Sequence, residues 1–195
     1  MEGGEGEKAS DQGGGATSSS SQPSLLFRAA LNGIRAKWPQ AKQMSTQTLS
    51  SLMGEPSAGP GDTSQAKLLL LDTRDEAEFN ISHLPGALRV SPEAEDVEEI
   101  KQQVLTDGIQ NVICYCSMGY RSSKYATYLQ QSLNKESKDE KQQFHVYNLE
   151  GSIFQWANEE RPLVDSQGRK TRMVHPFSVV WGKFLKAEIR KWPDS

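Results

Sequence analysis

Cysteine is scarce in this chain, and what is missing narrows the choices before any motif is considered. Two cysteines among 195 residues, both in one strand and the loop after it, do not make a disulfide framework. A reducing, intracellular compartment is therefore expected. No apolar run approaches the roughly 20 residues of a membrane-spanning helix, so no membrane partner is expected. A net charge of −3 gives no case for nucleic acid as a general partner. Residues 1–24 lack arginine and aromatic residues and carry Glu2, Glu5, Glu7 and Asp11 against Lys8. That composition fits neither an Arg-rich transit peptide nor a secretory signal with an apolar core, and Glu2 stands where N-myristoylation needs glycine. The expectation is a disordered Gly/Ser-rich tail on a cytoplasmic protein.

What is present is organised around Asn111 to Leu129, which reads NVICYCSMGYRSSKYATYL. Val112 to Tyr115 is a short apolar run suited to a strand covered on both faces. From Ser122 a helical pattern places Ala126, Leu129 and Leu133 on one face. Between them lie Cys116, Ser117, Met118, Gly119, Tyr120 and Arg121, with a glycine where a tight loop needs positive φ. A loop wound in front of a helix N-terminus turns backbone N–H groups inward and favours an anion. The same field favours thiolate over thiol, below the free value of roughly 8.5. Cys116 is thus placed to be a nucleophile, with Arg121 adding positive charge to the rim.

The flanking sequence alternates strands and helices. Leu25 to Trp38 reads as an amphipathic helix stopped by Pro39, and Ser45 to Thr48 caps a short helix through Leu49, Leu52 and Met53. Gly54 to Ser64 is a loop, and Ala66 to Leu71 a doubly buried strand. Asp72 and Arg74 follow at its carboxyl end, where their spacing suits an ion pair that pins the loop. Glu76 to Phe79 forms one helical turn, Leu88 to Val90 a strand, and Ser91-Pro92-Glu93 starts a helix ending by Gly108. Asn134 to Gln143 is a charged connection, Phe144 to Leu149 a strand and Ile153 to Asn158 a helix. A hairpin around residues 166–168 precedes a basic amphipathic helix from Pro176 carrying Val180, Trp181, Phe184, Leu185 and Ile189. From residue 166 onward seven basic residues face two acidic ones, a balance of plus five, read as the outer face of that helix. The division is a tail at 1–24, a helix and connection at 25–42, a central domain at 43–163 and the hairpin and helix at 164–195. The alternation predicts a three-layer α/β/α sandwich around a parallel sheet.

Cys116-x-x-Gly119-x-Arg121-Ser122 resembles the active loop of the single-domain rhodaneses, the thiosulfate and persulfide sulfurtransferases. Leu71-Asp72-Thr73-Arg74, Glu78-Phe79 and His83-Leu84-Pro85-Gly86-Ala87 are similar to that family's Asp-x-Arg and His-Ile-Pro-Gly-Ala signature. Asn148-Leu149-Glu150-Gly151, with Ile153 and Trp156, is similar to its last strand, turn and helix. The departures are Ser82 and Ser152, where the family often has glycine; the second is expected to leave the sulfur chemistry untouched. The resemblance implies a five-stranded parallel sheet with the strand before Cys116 at its centre. It also implies that His83 holds its turn and is no base, and that Asp72 and Arg74 are mainly supporting.

Function follows from the same resemblance. Cys116 is expected to take a sulfane sulfur from a small anionic donor, thiosulfate or a persulfide, and pass it to cyanide or to a thiol on a small molecule or protein. Ser117, Met118, Gly119, Tyr120, Arg121 and Ser122 would bind the substrate, the amides from Met118 to Ser122 holding the anionic persulfide and Arg121 the donor. The scheme requires no metal and no organic cofactor. One alternative is a binding or redox-regulatory module that keeps the fold without turnover. Another, less favoured, is the phosphatase chemistry of the cell-division type, whose loop has five residues between Cys and Arg; here there are four. Nucleic acid is not an expected partner, because no aromatic residues alternate with the basic ones near the C-terminus.

Overall fold

The computed structural model describes residues 24–54, 67–136 and 144–193. All of the expected tail but Ser24, nearly all of the loop at 54–64 and most of the charged connection lie outside the described residues. Five parallel strands form one sheet in the order β1 (Lys42–Met44), β5 (His145–Leu149), β4 (Asn111–Tyr115), β2 (Leu68–Asp72) and β3 (Leu88–Arg89). The helices are α1 (Leu25–Lys37), α2 (Thr46–Gly54), α3 (Glu76–Ile81), α4 (Val97–Asp107), α5 (Tyr120–Glu136), α6 (Ser152–Asn158) and a four-residue α7 (Val179–Gly182). The expected α/β sandwich is present, with β4 central.

Its two cores follow from the period-two alternation of a strand. Leu69, Leu71, Val112, Cys114 and Val146 face Ile100 and Val104 of α4 and Ala126, Leu129 and Leu133 of α5. Leu68, Leu70, Ile113, Tyr115 and Leu149 face Phe27 and Ile34 of α1, Leu49 of α2, and Ile153, Phe154 and Trp156 of α6. Full burial of one such aliphatic side chain is worth roughly 1.5–3 kcal/mol, so each face is held by many terms of that size. Among the described residues no helix is long and apolar enough to cross a membrane.

Three elements differ from expectation. The edge strand β1 was not read, since it has three residues of which only Met44 is buried, too few to show a period. Helix α4 begins at Val97 and not near Pro92, because Ala94 takes a left-handed φ of 64° and the Asp96 carboxylate accepts the Ser91 N–H, closing a turn first. The helix expected from Pro176 is replaced by α7 and a 3-10 turn at Ala187–Ile189. Phe177, at a left-handed φ of 61°, turns the chain, and Val174 then pairs with Ile189 and Lys191 through the backbone. This return buries Val174, Leu185 and Ile189, which one straight helix would not do. The hairpin itself forms, as β6 (Leu163–Val164) against β7 (Lys170–Thr171). Several basic groups of this segment are committed locally: Arg169 to Asp165, and Arg172 and Lys186 to Glu160.

Candidate active site

A parallel sheet gathers the loops after its strands at one edge, and the loop after the central strand has neighbours on every side. Cys116 begins that loop one residue past β4. Its N–H donates to the Ser152 hydroxyl at 3.2 Å, and its carbonyl and that of Ser117 accept from the amides of Ile153 and Phe154. The start of α6 therefore clamps the backbone of the loop. Ser152, at a φ of 49°, also donates its hydroxyl to the Leu149 carbonyl. Its side chain belongs to the loop's support.

Gly119 closes the loop over the sulfur. Its N–H donates to Cys116 Sγ at 3.1 Å, and its φ of 117° is one that residues with a Cβ rarely adopt. A Cβ there would stand 3.2 Å from Asn148 Nδ2. Asn148 is fixed on both sides, accepting from the Ser122 hydroxyl at 2.6 Å and donating to Gln43 of β1 at 2.7 Å. Gly119→Ala is therefore expected to cost about 1–3 kcal/mol in chemical denaturation, the range for a residue forced into a sparse backbone region. A cost below half of that would mean the loop relaxes freely.

Burial opposes ionisation of Cys116, which is 2% exposed, but the Arg121 charge and the Ser122 and Gly119 amides outweigh it. The thiol is held below its ordinary value. Cys114, two residues earlier, lies between β4 and the α4/α5 layer with no such partners, and burial pushes its thiol far up. Both cysteines are free thiols.

The remaining loop residues divide. Met118 turns its side chain into the core. Tyr120 is 47% exposed and meets the Trp38 ring edge-on at 5.9 Å. Ser117 donates its hydroxyl to Glu78 Oε1 at 2.8 Å. Arg121 donates to both Glu78 oxygens at 2.8 and 3.0 Å, to Asp75 Oδ2 at 3.3 Å and to the Ser117 hydroxyl at 3.1 Å. The Phe177 ring covers its guanidinium at 4.8 Å. Burial alone would raise the Glu78 carboxyl, but Arg121, Arg74 and Ser117 hold it below its ordinary value.

Asp72 and Arg74 form a buried pair, Nη2 to Oδ2 at 2.6 Å, and Arg74 also donates to the Ser82 carbonyl at 2.6 Å. They brace the turn that leads into α3 with Asp75 and Glu78. His83 is held in its own turn. Its ring stacks on Phe79, its Nδ1 lies 3.0 Å from the Phe79 carbonyl, and its backbone bridges to Val164.

Three contributors were given no role at the site from sequence. Glu78 stood in the quoted Glu78-Phe79 motif without a role, and Asp75-x-x-Glu78 is also a capping box that α3 uses as one. Its contact with Arg121, 43 positions away, left no mark in the sequence. Ser152 was noticed only as a departure. Phe177 carried no signal, because its position depends on the return of the C-terminal segment.

The profile of the family described as Rhodanese-like domain matches residues 59–159. The comparison with curated proteins returned no match. Among solved structures, thiosulfate sulfurtransferase from Pseudomonas aeruginosa aligns at a TM-score of 0.51 and 20% identity, over 82% of this chain and 26% of that one. This chain thus spans about a quarter of that protein. An As-Sb reductase from Leishmania major aligns at a TM-score of 0.52 and 14% identity, over 67% of this chain and 92% of that one. A Saccharomyces cerevisiae homolog of single-domain rhodanese and the Cdc25 phosphatase catalytic domain aligns at 0.49 and 19%, over 60% and 80%. At these identities the likeness shows the fold alone.

Proposed function

Because this chain belongs to the rhodanese-like domain family, we propose that it is a sulfurtransferase working through a persulfide on Cys116. The observation that carries this reading is the hydrogen bond from the Gly119 N–H to Cys116 Sγ in a loop that holds the thiol below its ordinary value. The Cys116 thiolate attacks the outer sulfur of a donor. With thiosulfate the S–S bond breaks, sulfite leaves with the electron pair, and Cys116 becomes an anionic persulfide. An acceptor thiolate or cyanide then attacks the terminal sulfur and returns Cys116 as thiolate. Each step is covalent catalysis by an activated nucleophile, and the electron pairs balance without an external oxidant. The Gly119 and Ser122 amides support negative charge first on Sγ and then on the persulfide.

Phosphatase chemistry is disfavoured by the four-residue gap to Arg121, whose terminal nitrogens are turned to Glu78, Asp75 and Ser117. The expected acceptor is a thiol on a small molecule or protein, and the site is proposed to act in a reducing, intracellular setting. The test is intact mass after exposure to thiosulfate and, separately, to an alkyl persulfide, without reductant. A gain of about 32 Da that cyanide removes is the expected result. No gain from either donor overturns the reading.

A further inference from the structure

Arg121 is the expected ligand for an anionic donor, yet its hydrogens are already taken. Its two terminal nitrogens carry four N–H groups and make four hydrogen bonds, two to Glu78, one to Asp75 and one to Ser117, leaving the single Nε–H. One face of the guanidinium lies under Phe177. The side chain is 19% exposed, while Glu78 beneath it is 3% exposed. The other buried cation beside the site, Arg74, is neutralised by Asp72. Two cations thus stand against three carboxylates and the Cys116 thiolate, a net charge of minus two. A doubly charged donor would enter a site with no free counter-charge on Arg121 and a repulsive balance, and like charges brought together are disfavoured.

Resting on the sulfurtransferase reading, we infer that Glu78 and Phe177 are specificity-determining residues. By caging Arg121 as a counter-charge for the thiolate, they make the site discriminate against dianionic donors such as thiosulfate in favour of a donor of low charge, an organic persulfide. Phe177 lies beyond residue 159, so the C-terminal segment supplies part of this selection to the family domain. The segment holds Phe177 at its left-handed φ, with its N–H donated to His175 Nδ1 at 3.0 Å. Exposed aromatic surface on Phe177 and Tyr120, 43% and 47%, offers contact to an uncharged organic group. The reaction with a neutral persulfide balances: the Cys116 thiolate bonds to the terminal sulfur of R–S–SH, the S–S bond breaks, and R–S⁻ leaves with the electron pair. Cys116 becomes a persulfide and loses its proton to solvent.

The experiment compares kcat/KM for thiosulfate and for an alkyl persulfide in wild type, Glu78→Gln and Phe177→Ala. Because persulfides are intrinsically more reactive, the change in the ratio on substitution is the readout. Glu78→Gln keeps an acceptor for Arg121 but removes a charge, and should raise the thiosulfate-to-persulfide ratio at least about ten-fold. Phe177→Ala, a change at a half-exposed side chain outside the sheet, should move the ratio the same way by a smaller factor. A ratio unmoved or lowered in both variants overturns the inference while leaving sulfur transfer intact, as does a wild type that prefers thiosulfate. Failure of both donors to load wild-type Cys116 overturns the sulfurtransferase reading itself, and the inference with it.

Discussion

Arg74→Met is expected to destabilise the protein by roughly 3–5 kcal/mol in chemical denaturation, the range for removing one partner of a buried ion pair. Asp72 and Arg74 are both fully buried, and Asp72 accepts from Arg74 Nε at 2.9 Å, from Nη2 at 2.6 Å and from the Arg74 backbone N–H at 3.1 Å. Burial opposes the guanidinium charge, and the charge and hydrogen bonds of Asp72 more than restore it, raising its pKa. Without Arg74, Asp72 would remain at the end of β2, beside the central strand, as a carboxylate with neither water nor counter-ion. A buried charge left without its counter-ion is strongly destabilising. The double change Asp72→Leu with Arg74→Met removes both charges and should recover most of the loss, since the pair's attraction largely offsets its own desolvation. A single-variant cost below about 1 kcal/mol would mean that the ion pair does not pin this turn. The Ser82 carbonyl, which also accepts from Arg74, would lose that partner in either variant.

The features legible in the sequence were those with a local cause. Leu68–Leu71 reads as an apolar run because helices cover both faces of β2, with Leu70 and Leu71 buried and Leu68 and Leu69 partly so, and the composition carried that information. The Cys116 loop was legible because strand, glycine and helix start adjoin in the chain. The Asp72–Arg74 pair was legible for the same reason, being two residues apart. What was not legible depends on contacts between distant segments. β1 is a strand because β5 offers it hydrogen bonds, and its own three residues hold no pattern. The C-terminal segment shows helical spacing at Val180, Trp181, Phe184 and Leu185, yet backbone pairing of Val174 with Ile189 and Lys191 bends it back on itself. Arg121 was read as a free cation on the rim because nothing near it in sequence is acidic. Asp75 and Glu78, at the N-cap and in the first turn of α3, reach it from 43 or more positions away and pair with its guanidinium.

Cys116→Ser should abolish sulfur loading, a loss beyond about 10³-fold of the kind seen when a nucleophile is deleted, while Cys114→Ser should retain it. The two thiols are two positions apart and meet opposite fields. Cys114 has only apolar burial, which favours the neutral thiol. Cys116 is as buried, yet the charge of Arg121 and the Ser122 and Gly119 donors favour the anion. Alkylation of native Cys114→Ser by iodoacetamide should therefore rise with pH to a midpoint below the ordinary thiol value of roughly 8.5. Removing the counter-charge together with its partner, in Arg121→Met with Glu78→Met, should move that midpoint upward. The sign carries over to stability. A native pKa below the unfolded one means that the ionised thiol stabilises the fold fully above the unfolded value, and that this share is lost as pH falls through the native value. Wild type should therefore lose its stability advantage over Cys116→Ser in that window as pH is lowered. If instead the Cys116 midpoint lay at or above the free-thiol value, burial would have won over the loop's donors. The thiolate needed for sulfur transfer would then be a minor species at neutral pH.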